Sequence, residues 1–267
     1  MPKNTLTFLK LGGSLITDKR KSLTHRPEVL ERAAAEIAQA REANPELQLL
    51  IGHGSGSFGH AVANQYQTQA GGSSPTYWQG FVEVWKAARK LNQIVMEHLS
   101  SAGLPVIAFP PSAGIMSENG SLQSWDTRPL AAALSNGLIP VVQGDVVFDT
   151  VLGGTIFSTE QVFQTLGKAF QPSRIMLAGL DAGIYLDPDH PQDIISKITP
   201  AQFSEIQPAL SGAAGVDVTG GMQAKVQMML AMVQQTPCLE VRVFSGAKEN
   251  NIRDALDGAP LGTLISA

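Results

Sequence analysis

The chain has 267 residues and a formal net charge of −4, with 43% hydrophobic and 16% charged residues. These proportions are those of an ordinary globular protein with a sizeable core, and they exclude a disordered chain. Because the sequence has no basic stripe, we expect no nucleic-acid partner. Because no apolar run reaches the roughly 18–20 residues of a spanning helix, we expect no membrane segment.

Short β-rich runs alternate with longer helical patterns along the chain. Strands separated by helices predict βαβ units, a mainly parallel sheet and helices on both of its faces, which is an α/β fold. In chain order, the predicted elements are a strand at 5–11, a helix at 27–43, a strand at 47–51, a helix or helix pair at 76–101, a strand at 104–109, a helix at 129–135, a strand at 138–143, a helix at 159–170, a strand at 174–180, a helix at 222–234 and strands at 240–245 and 263–265.

The organisation of the chain is that of a single domain. No linker rich in proline, serine or charge interrupts it, and no fixed repeat is present. We therefore expect one domain over residues 1–267 with two functional halves, about 1–170 and 171–267. The only cysteine, Cys238, excludes an intrachain disulfide, and the first residues lack the layout of a signal peptide. We expect a cytoplasmic protein.

Residues 52–60, with the sequence GHGSGSFGH, follow the predicted strand 47–51 and contain four glycines, two serines and two histidines. Glycines allow a sharp turn and a close approach of backbone N–H groups to a ligand, and successive N–H groups in a concavity bind anions such as phosphate. The stretch predicts an anion-binding loop. A flexible glycine- and serine-rich surface loop is the alternative interpretation.

Residues 52–60 are one of three glycine-rich turns in the chain, which we call glycine corners. The second glycine corner follows the first predicted strand, where Gly12, Gly13 and Ser14 come after Lys10. Lys10 and Lys19 bracket this corner as mobile charges suited to phosphate oxygens. The spacing of a P-loop is absent, so this corner is not of that type. For Lys10, a strand-end lysine that faces solvent is the alternative.

A third glycine corner, residues 217–221, precedes a helix that carries Lys225. Its two glycines and one threonine at a helix start predict another anion site, although a plain helix cap explains part of the pattern. Two carboxylates could orient lysines or bind magnesium through water: Asp145, which ends a predicted strand, and Glu160, which opens a predicted helix after Gly153 and Gly154. The alternatives are a strand-end turn for Asp145 and a favourable first-turn charge for Glu160.

Three glycine corners, three lysines and two carboxylates together predict phosphoryl transfer, which needs positioning and neutralisation of charge on phosphate oxygens. No covalent nucleophile is required. His53 and His60 are then expected to serve the acceptor side and not a metal, because their spacing is poor for a zinc site and no third ligand is evident. Of the two, His60 is the expected phosphate ligand, and His53 is expected to be a structural partner of the loop. We predict no metal site built from protein side chains.

These motifs resemble the amino acid kinase superfamily, and within it the isopentenyl phosphate kinase family. They run in order from Leu6 to Ile265. The resemblance implies an open three-layer αβα sandwich, a homodimer, and transfer of the γ-phosphate of ATP, with Mg²⁺, to isopentenyl phosphate. The motifs that carry it are KLGGS with Lys19, HGSGSFGH, GDVV, and DVTGGM with Lys225.

Carried over motif by motif, the resemblance assigns site residues. The ATP phosphates meet Lys10 and residues 12–14, while Lys19 and Lys225 stabilise the transferring group. His60 hydrogen-bonds to the acceptor phosphate, and the apolar face of the helix at 76–101 shapes a pocket for the five-carbon tail, with core packing as the alternative role. The remaining assignments are Gly54, Gly56, Ser57, Gly59, Asp145 and Gly154 to the acceptor, and Gly12, Gly13, Ser14, Ser55, Asp181, Tyr185, Gly220 and Gly221 to the nucleotide.

The chain departs from the family pattern at three places. Ser158-Thr159-Glu160 replaces the usual Ser-Gly-Asp, Ala182 is an extra residue, and Ser55 replaces a loop glycine. Two other functions therefore remain open. One is a kinase for another small phosphate or phosphonate, of the fosfomycin type, and the other is a nucleotide-binding relative that has lost catalysis.

Overall fold

The computed structural model describes residues 6–186, 190, 193–203, 205–207 and 221–267, without the side chains at 60, 61, 221 and 222. Residues 217–220 of the predicted third glycine corner therefore lie outside the described residues, and Gly221 is the first residue after this gap. Within the described part, the strands are β1 Thr7–Leu11, β2 Leu49–His53, β3 Val106–Ala108, β4 Met116–Glu118, β5 Ser121–Ser124, β6 Ile139–Gln143, β7 Asp145–Asp149, β8 Gly153–Phe157, β9 Arg174–Gly179, β10 Lys197–Ile198, β11 Glu240–Ser245 and β12 Thr263–Ile265.

The helices cover most of the predicted helical segments. Helix α2 (Pro27–Ala43) begins with a proline, whose fixed φ suits the first helical position. The segment at 76–101 forms one helix, and the side chain of Ser74 accepts a hydrogen bond from Tyr77 N at its start. The helices are α1 Gly13–Ile16, α2 Pro27–Ala43, α3 Gly56–Tyr66, α4 Pro75–Ser101, α5 Arg128–Ser135, α6 Thr159–Phe170, α7 Gly221–Gln235 and α8 Asn251–Leu256.

An eight-stranded sheet with the order β10-β12-β11-β9-β1-β2-β6-β3 forms the centre of the fold. All its pairs are parallel except β11 with β12. Alternate residues of β1 serve opposite faces: Leu9 packs in a core with α2 and α4, whereas Phe8 packs in a core with α6 and α7. The predicted three-layer αβα sandwich with a mainly parallel sheet is confirmed.

A second sheet, with the order β5-β4-β7-β8, was not predicted from the sequence. Its strands are only three to five residues long, and β5 is exposed throughout, so the apolar signal is confined to β7 and β8, where Val146, Val147 and Phe157 are buried. The carboxylate of Asp149 joins its turns by accepting hydrogen bonds from Ser117 Oγ at 2.7 Å, Gly120 N at 2.8 Å and Leu152 N at 2.7 Å. The sheet is therefore built around one buried carboxylate.

Two sequence interpretations are corrected by the strand and helix ends. Residues 52–60 are not one loop, because β2 continues to His53 and α3 begins at Gly56. The glycine density suggested a loop, but Phe58 is fully buried and anchors the first turn of α3 in the core. Asp145 begins β7 instead of ending the preceding strand. No described helix is both long and apolar enough to cross a membrane.

We expect Asp149→Asn to lower the free energy of unfolding by about 1.5–3 kcal/mol at pH 7, because hydrogen bonds to a charged acceptor are lost or weakened. Burial acts to raise the pKa of Asp149, but the donors from Leu152, Ser117 and Gly120 hold it well below its usual value. A carboxyl group whose pKa is lower in the folded state stabilises the fold at pH values above its unfolded pKa of about 3.9. This stabilisation is lost progressively as the pH falls below that value toward the folded pKa.

Urea denaturation at pH 7 and at pH 3 measures this effect. The difference between wild type and Asp149→Asn should shrink at the lower pH. Asp126→Asn is the matched control, because Asp126 forms an exposed pair with Arg128 and exposed pairs contribute little. Equal losses in the two variants, or a difference that grows toward pH 3, would contradict the assignment.

Candidate active site

The first two glycine corners lie side by side at the carboxyl ends of the adjacent strands β1 and β2. Gly54 N donates a hydrogen bond to Leu11 O at 3.0 Å. A Cβ added to Gly54 would lie 2.7 Å from Gly13 N, and one added to Gly13 would lie 2.8 Å from Gly56 Cα and closer still to Gly56 N. Two backbones can approach this closely only without side chains. The corners therefore form one continuous surface.

Hydrogen bonds lock this junction. The hydroxyl of Thr17 donates to Gly13 O at 2.7 Å and accepts from Ser57 N at 2.9 Å. Gly56 has a φ of +48°, in the left-handed region that favours glycine. The ends of α1 and the start of α3 are thus held in one arrangement, and the backbone N–H groups of both helix starts lie at the same edge of the sheet.

Lys10 and Glu160 form a buried ion pair beside these corners. Their side chains are 12% and 6% exposed, and Lys10 Nζ donates directly to Glu160 Oε1. Burial acts to raise the pKa of Glu160, but the charges of Lys10 and Lys225 hold it below the usual value. Glu160 therefore lies within electrostatic reach of both lysines, and Lys10 does not face solvent as the alternative interpretation had it.

The start of α6 places Glu160 at this position. The side chain of Ser158 caps the helix by accepting a hydrogen bond from Gln161 N, and the side-chain oxygen of Gln161 accepts one from Ser158 N at 2.8 Å. Thr159 Oγ1 donates to His53 O at 2.7 Å, which ties the same turn to the end of β2. Because the cap and the threonine fix the first turn, the carboxylate of Glu160 is directed to the lysine of β1.

Most of the predicted nucleotide-side residues that the structure describes follow β1 or β9, whereas Ser55 lies between β2 and α3. Gly12 N donates to Ala178 O at 2.8 Å, so the second corner is fixed to β9. Beyond β9, Asp181 is exposed, and Tyr185 accepts a hydrogen bond from Ala182 N at 3.1 Å through its phenol oxygen. Gly220 lies outside the described residues, and Gly221 begins the helix that carries Lys225.

Comparison with known proteins agrees with this geometry. The Amino acid kinase family model matches residues 5–245. The isopentenyl phosphate kinase of Methanocaldococcus jannaschii is 34% identical over 266 residues, which cover 97% of this chain and 98% of that protein. The isopentenyl phosphate kinase of Methanothermobacter thermautotrophicus is 31% identical over 98% of this chain and 99% of that protein. The chain belongs to the isopentenyl phosphate kinases of the amino acid kinase family.

A solved isopentenyl phosphate kinase structure superimposes on this kinase with a TM-score of 0.82, at 29% identity, over 98% of this chain and 100% of that one. An N-acetylglutamate synthase from Neisseria gonorrhoeae, at 15% identity and a TM-score of 0.65, shares the fold over 98% of this chain and 61% of its own. The fold class and the family are thus both as the sequence motifs predicted.

Several predicted site residues of this kinase have structural contacts of their own. The hydroxyl of Ser57 donates to Thr24 O at 3.2 Å, which holds the segment of residues 18–25 against α3. Lys19 is exposed on that segment. Gly154 lies in β8 against α4, where an added Cβ would lie 2.7 Å from the ring of Phe81. None of these three contacts the pair of Lys10 and Glu160.

Asp145 is buried at the start of β7, two residues beyond the end of β6. Its carboxylate accepts hydrogen bonds from Ser112 N at 3.3 Å and Val146 N at 2.9 Å. Burial raises its pKa to about 6, against the lowering effect of these donors. The carboxylate is thus committed to backbone groups of the surrounding chain, and Glu160 is the carboxylate that contacts a predicted catalytic lysine.

Glu160 was predicted from the sequence as a carboxylate that could orient lysines, but the residues carried over from the family pattern did not include it. Its signal was present, since it opens a helix directly after a strand and a serine cap. Only the fold shows that β1 and the start of α6 bring residues 10 and 160 together. His60 lies in the first turns of α3, and its side chain lies outside the described residues.

Proposed function

We propose that the chain is an ATP-dependent kinase that phosphorylates isopentenyl phosphate to isopentenyl diphosphate. The observation that carries this proposal is the junction of the two glycine corners beside the buried pair of Lys10 and Glu160. One surface can thereby hold a donor and an acceptor phosphate next to fixed positive charge. The relatives at 31–34% identity that bear the name isopentenyl phosphate kinase support this choice of acceptor.

In the proposed reaction, a terminal oxygen of the acceptor phosphate attacks the γ-phosphorus of ATP. A new oxygen–phosphorus bond forms, the bond from the γ-phosphorus to the β–γ bridging oxygen breaks, and ADP leaves with that electron pair. Lys10 and Lys225 neutralise charge on the transferring group, and the negative charge of Glu160 offsets their mutual repulsion and orients Lys10. Lys19 adds charge from the segment of residues 18–25. The protein supplies positioning and electrostatics without a covalent nucleophile.

On the donor side, we assign the phosphates of ATP to the turn of Gly12, Gly13 and Ser14 at the start of α1. The N–H of Gly12 donates to Ala178 O and fixes this turn, so the N–H groups assigned to the phosphates are those of Gly13 and Ser14. Ser55, Asp181 and Tyr185 belong to the same side, as do Gly220 and Gly221 at the start of the helix that carries Lys225. Residues 171–267 form the proposed nucleotide half, and residues 1–170 the proposed acceptor half of a single domain.

On the acceptor side, we assign the phosphate to the start of α3, with Gly54, Gly56 and Gly59 as the cradle and His60 as the hydrogen-bond donor. Ser57 and Asp145 support this corner through their contacts with the surrounding backbone. The tail pocket is assigned to the start of α4, where Tyr77, Trp78 and Phe81 pack beside β8 and Phe148 is 48% exposed. Gly154 leaves room there for the Phe81 ring.

Mg²⁺ is proposed to arrive bound to the phosphates of ATP, which is its usual mode in kinases. Among the described residues, no group of three or more His, Cys, Asp or Glu side chains could hold a metal ion. The donor set at the site is lysine-rich, and its one paired carboxylate is engaged with Lys10. We therefore assign no protein ligand to Mg²⁺. We further propose a cytoplasmic homodimer.

An acceptor panel tests the proposal. Purified protein with ATP and Mg²⁺ should convert isopentenyl phosphate to the diphosphate in a coupled assay that measures ADP, with dimethylallyl phosphate and fosfomycin tested in parallel. No diphosphate product at millimolar isopentenyl phosphate would reject the proposed acceptor. Turnover of fosfomycin alone would indicate the alternative kinase, and ATP binding by calorimetry without any turnover would indicate a non-catalytic relative.

We expect His60→Ala to lower kcat/KM for isopentenyl phosphate by about 10- to 100-fold, because a hydrogen bond to a charged phosphate is lost. His60→Gln retains a donor at a similar reach and should lose less. Steady-state kinetics with each substrate varied in turn measures the effect, and the KM for ATP serves as the internal control. Activity of His60→Ala close to that of wild type would remove His60 from the mechanism.

A further inference from the structure

His53 is a fully buried histidine that no catalytic step requires. It ends β2, directly before Gly54, and is 1% exposed. Its ring Nδ1 lies 3.3 Å from Gly54 O, and its Nε2 lies 3.1 Å from Nδ2 of Asn92 on α4. Burial lowers the pKa of His53 to about 4, aided by the nearby charge of Lys10. The ring is therefore neutral near pH 7.

The two contacts fix which nitrogen carries the proton. A carbonyl oxygen can only accept, so Nδ1 donates to Gly54 O. A neutral ring has one N–H group, so Nε2 is bare and accepts from the amide of Asn92. Both polar atoms of the ring are thereby satisfied inside the core, which is the condition under which a buried polar network becomes rigid.

The backbone of His53 joins further parts of the site. Its carbonyl oxygen accepts from Thr159 Oγ1 at 2.7 Å and from Gly144 N at 3.4 Å. Thr159 precedes Glu160 in the first turn of α6. The residue thus joins four elements at one point: the acceptor corner, the helix that carries Glu160, the β6–β7 junction, and α4 with its aromatic residues Tyr77 and Phe81.

We infer that His53 is a positioning residue for the acceptor phosphate, which it acts on through Gly54 with Asn92 as its support. The carbonyl of Gly54 is held toward the imidazole, so the N–H of Ser55 in the same trans peptide points away from the ring at the start of α3. The ring thereby sets the direction of a backbone donor at the acceptor corner. The inference rests on the proposed function, because it assigns the acceptor to this corner. It predicts that the ring matters for the acceptor more than for ATP.

Two substitutions separate positioning from simple core filling. His53→Leu fills the space without a donor, whereas His53→Asn places an amide nitrogen where Nδ1 lies and can still donate to Gly54 O. We expect His53→Leu to raise the KM for isopentenyl phosphate about tenfold with little change in the KM for ATP. His53→Asn should recover most of that loss. Asn92→Leu, which removes the support on Nε2, should shift the same KM in the same direction.

All variants are compared well below their melting temperatures, so that unfolding does not contribute. Equal changes in both KM values, or no recovery in His53→Asn, would show a general structural role and overturn the inference. Nitrogen chemical shifts of the histidine ring in the ligand-free wild type give a readout independent of activity, and we expect a neutral ring with the proton on Nδ1. A charged ring or an Nε2–H tautomer would also overturn it, whereas failure of wild type to phosphorylate isopentenyl phosphate rejects only the proposed function.

Discussion

Glu160→Gln should lower kcat by about 10²- to 10³-fold, the size expected when one preorganised electrostatic element of a phosphoryl-transfer site is removed. The buried carboxylate lies against Lys10 and within the field of Lys225. Without its charge the two ammonium groups repel each other and lose the partner that orients them. Breaking a buried pair in this way also lowers the free energy of unfolding by about 3–5 kcal/mol.

The two kinetic constants should respond differently. The triphosphate can replace part of the missing negative charge, so the KM for ATP should stay constant or fall while kcat drops. Initial rates over a range of ATP concentrations, together with a thermal melt with and without ATP, measure both effects. Glu160→Asp is the matched control: it keeps the charge and introduces the aspartate that the family pattern has at this place, so its kcat should stay well above that of Glu160→Gln. A Gln variant as active as the Asp variant would show that the charge is not needed.

The sequence was sufficient for the layered architecture because the apolar periodicity of its longer elements is strong. Helices at 27–43 and 159–170 and strands at 240–245 and 263–265 have the predicted bounds. The second sheet gave a weaker signal, because β4 and β5 are short and largely polar, and only β7 and β8 contribute buried apolar residues such as Val146, Val147 and Phe157. Its turns are held by the carboxylate of Asp149. Hydrogen bonds from several turns to one carboxylate produce no hydrophobic periodicity in the sequence.

The candidate site was predictable in its residue types but not in its connections. The lysines and glycines stand out in the sequence because their chemistry is specific for phosphate. The pairing of Lys10 with Glu160 joins residues 150 positions apart, and only the order of β1 and α6 around the sheet creates it. The role of His53 depends on Asn92 and Thr159 in the same way. Local pattern identifies ligand-binding groups, whereas topology decides which side chains orient them.

Gly13→Ala should reduce kcat/KM for both substrates by at least about 10²-fold, because displacement of reacting groups by even about 1 Å has effects of this size. The added Cβ would lie 2.8 Å from Gly56 Cα and nearer still to Gly56 N. Both neighbours are backbone atoms, so no side chain can rotate away, and the two corners must separate. The donor and acceptor phosphates would then no longer share one surface.

Gly137→Ala is the matched control for this prediction. Gly137 has a φ of +73° and open space around it, and it precedes β6 at the amino edge of the sheet, opposite the site. The alanine there should destabilise the fold by about 1 kcal/mol through backbone strain alone, with activity retained. Gly13 has the opposite combination, with an ordinary φ and no space. Gly137→Ala should therefore have a lower melting temperature with a normal kcat/KM, whereas Gly13→Ala should have a strongly reduced kcat/KM. Loss of activity in both variants, or in neither, would show that the site does not depend on the close contact between the two corners.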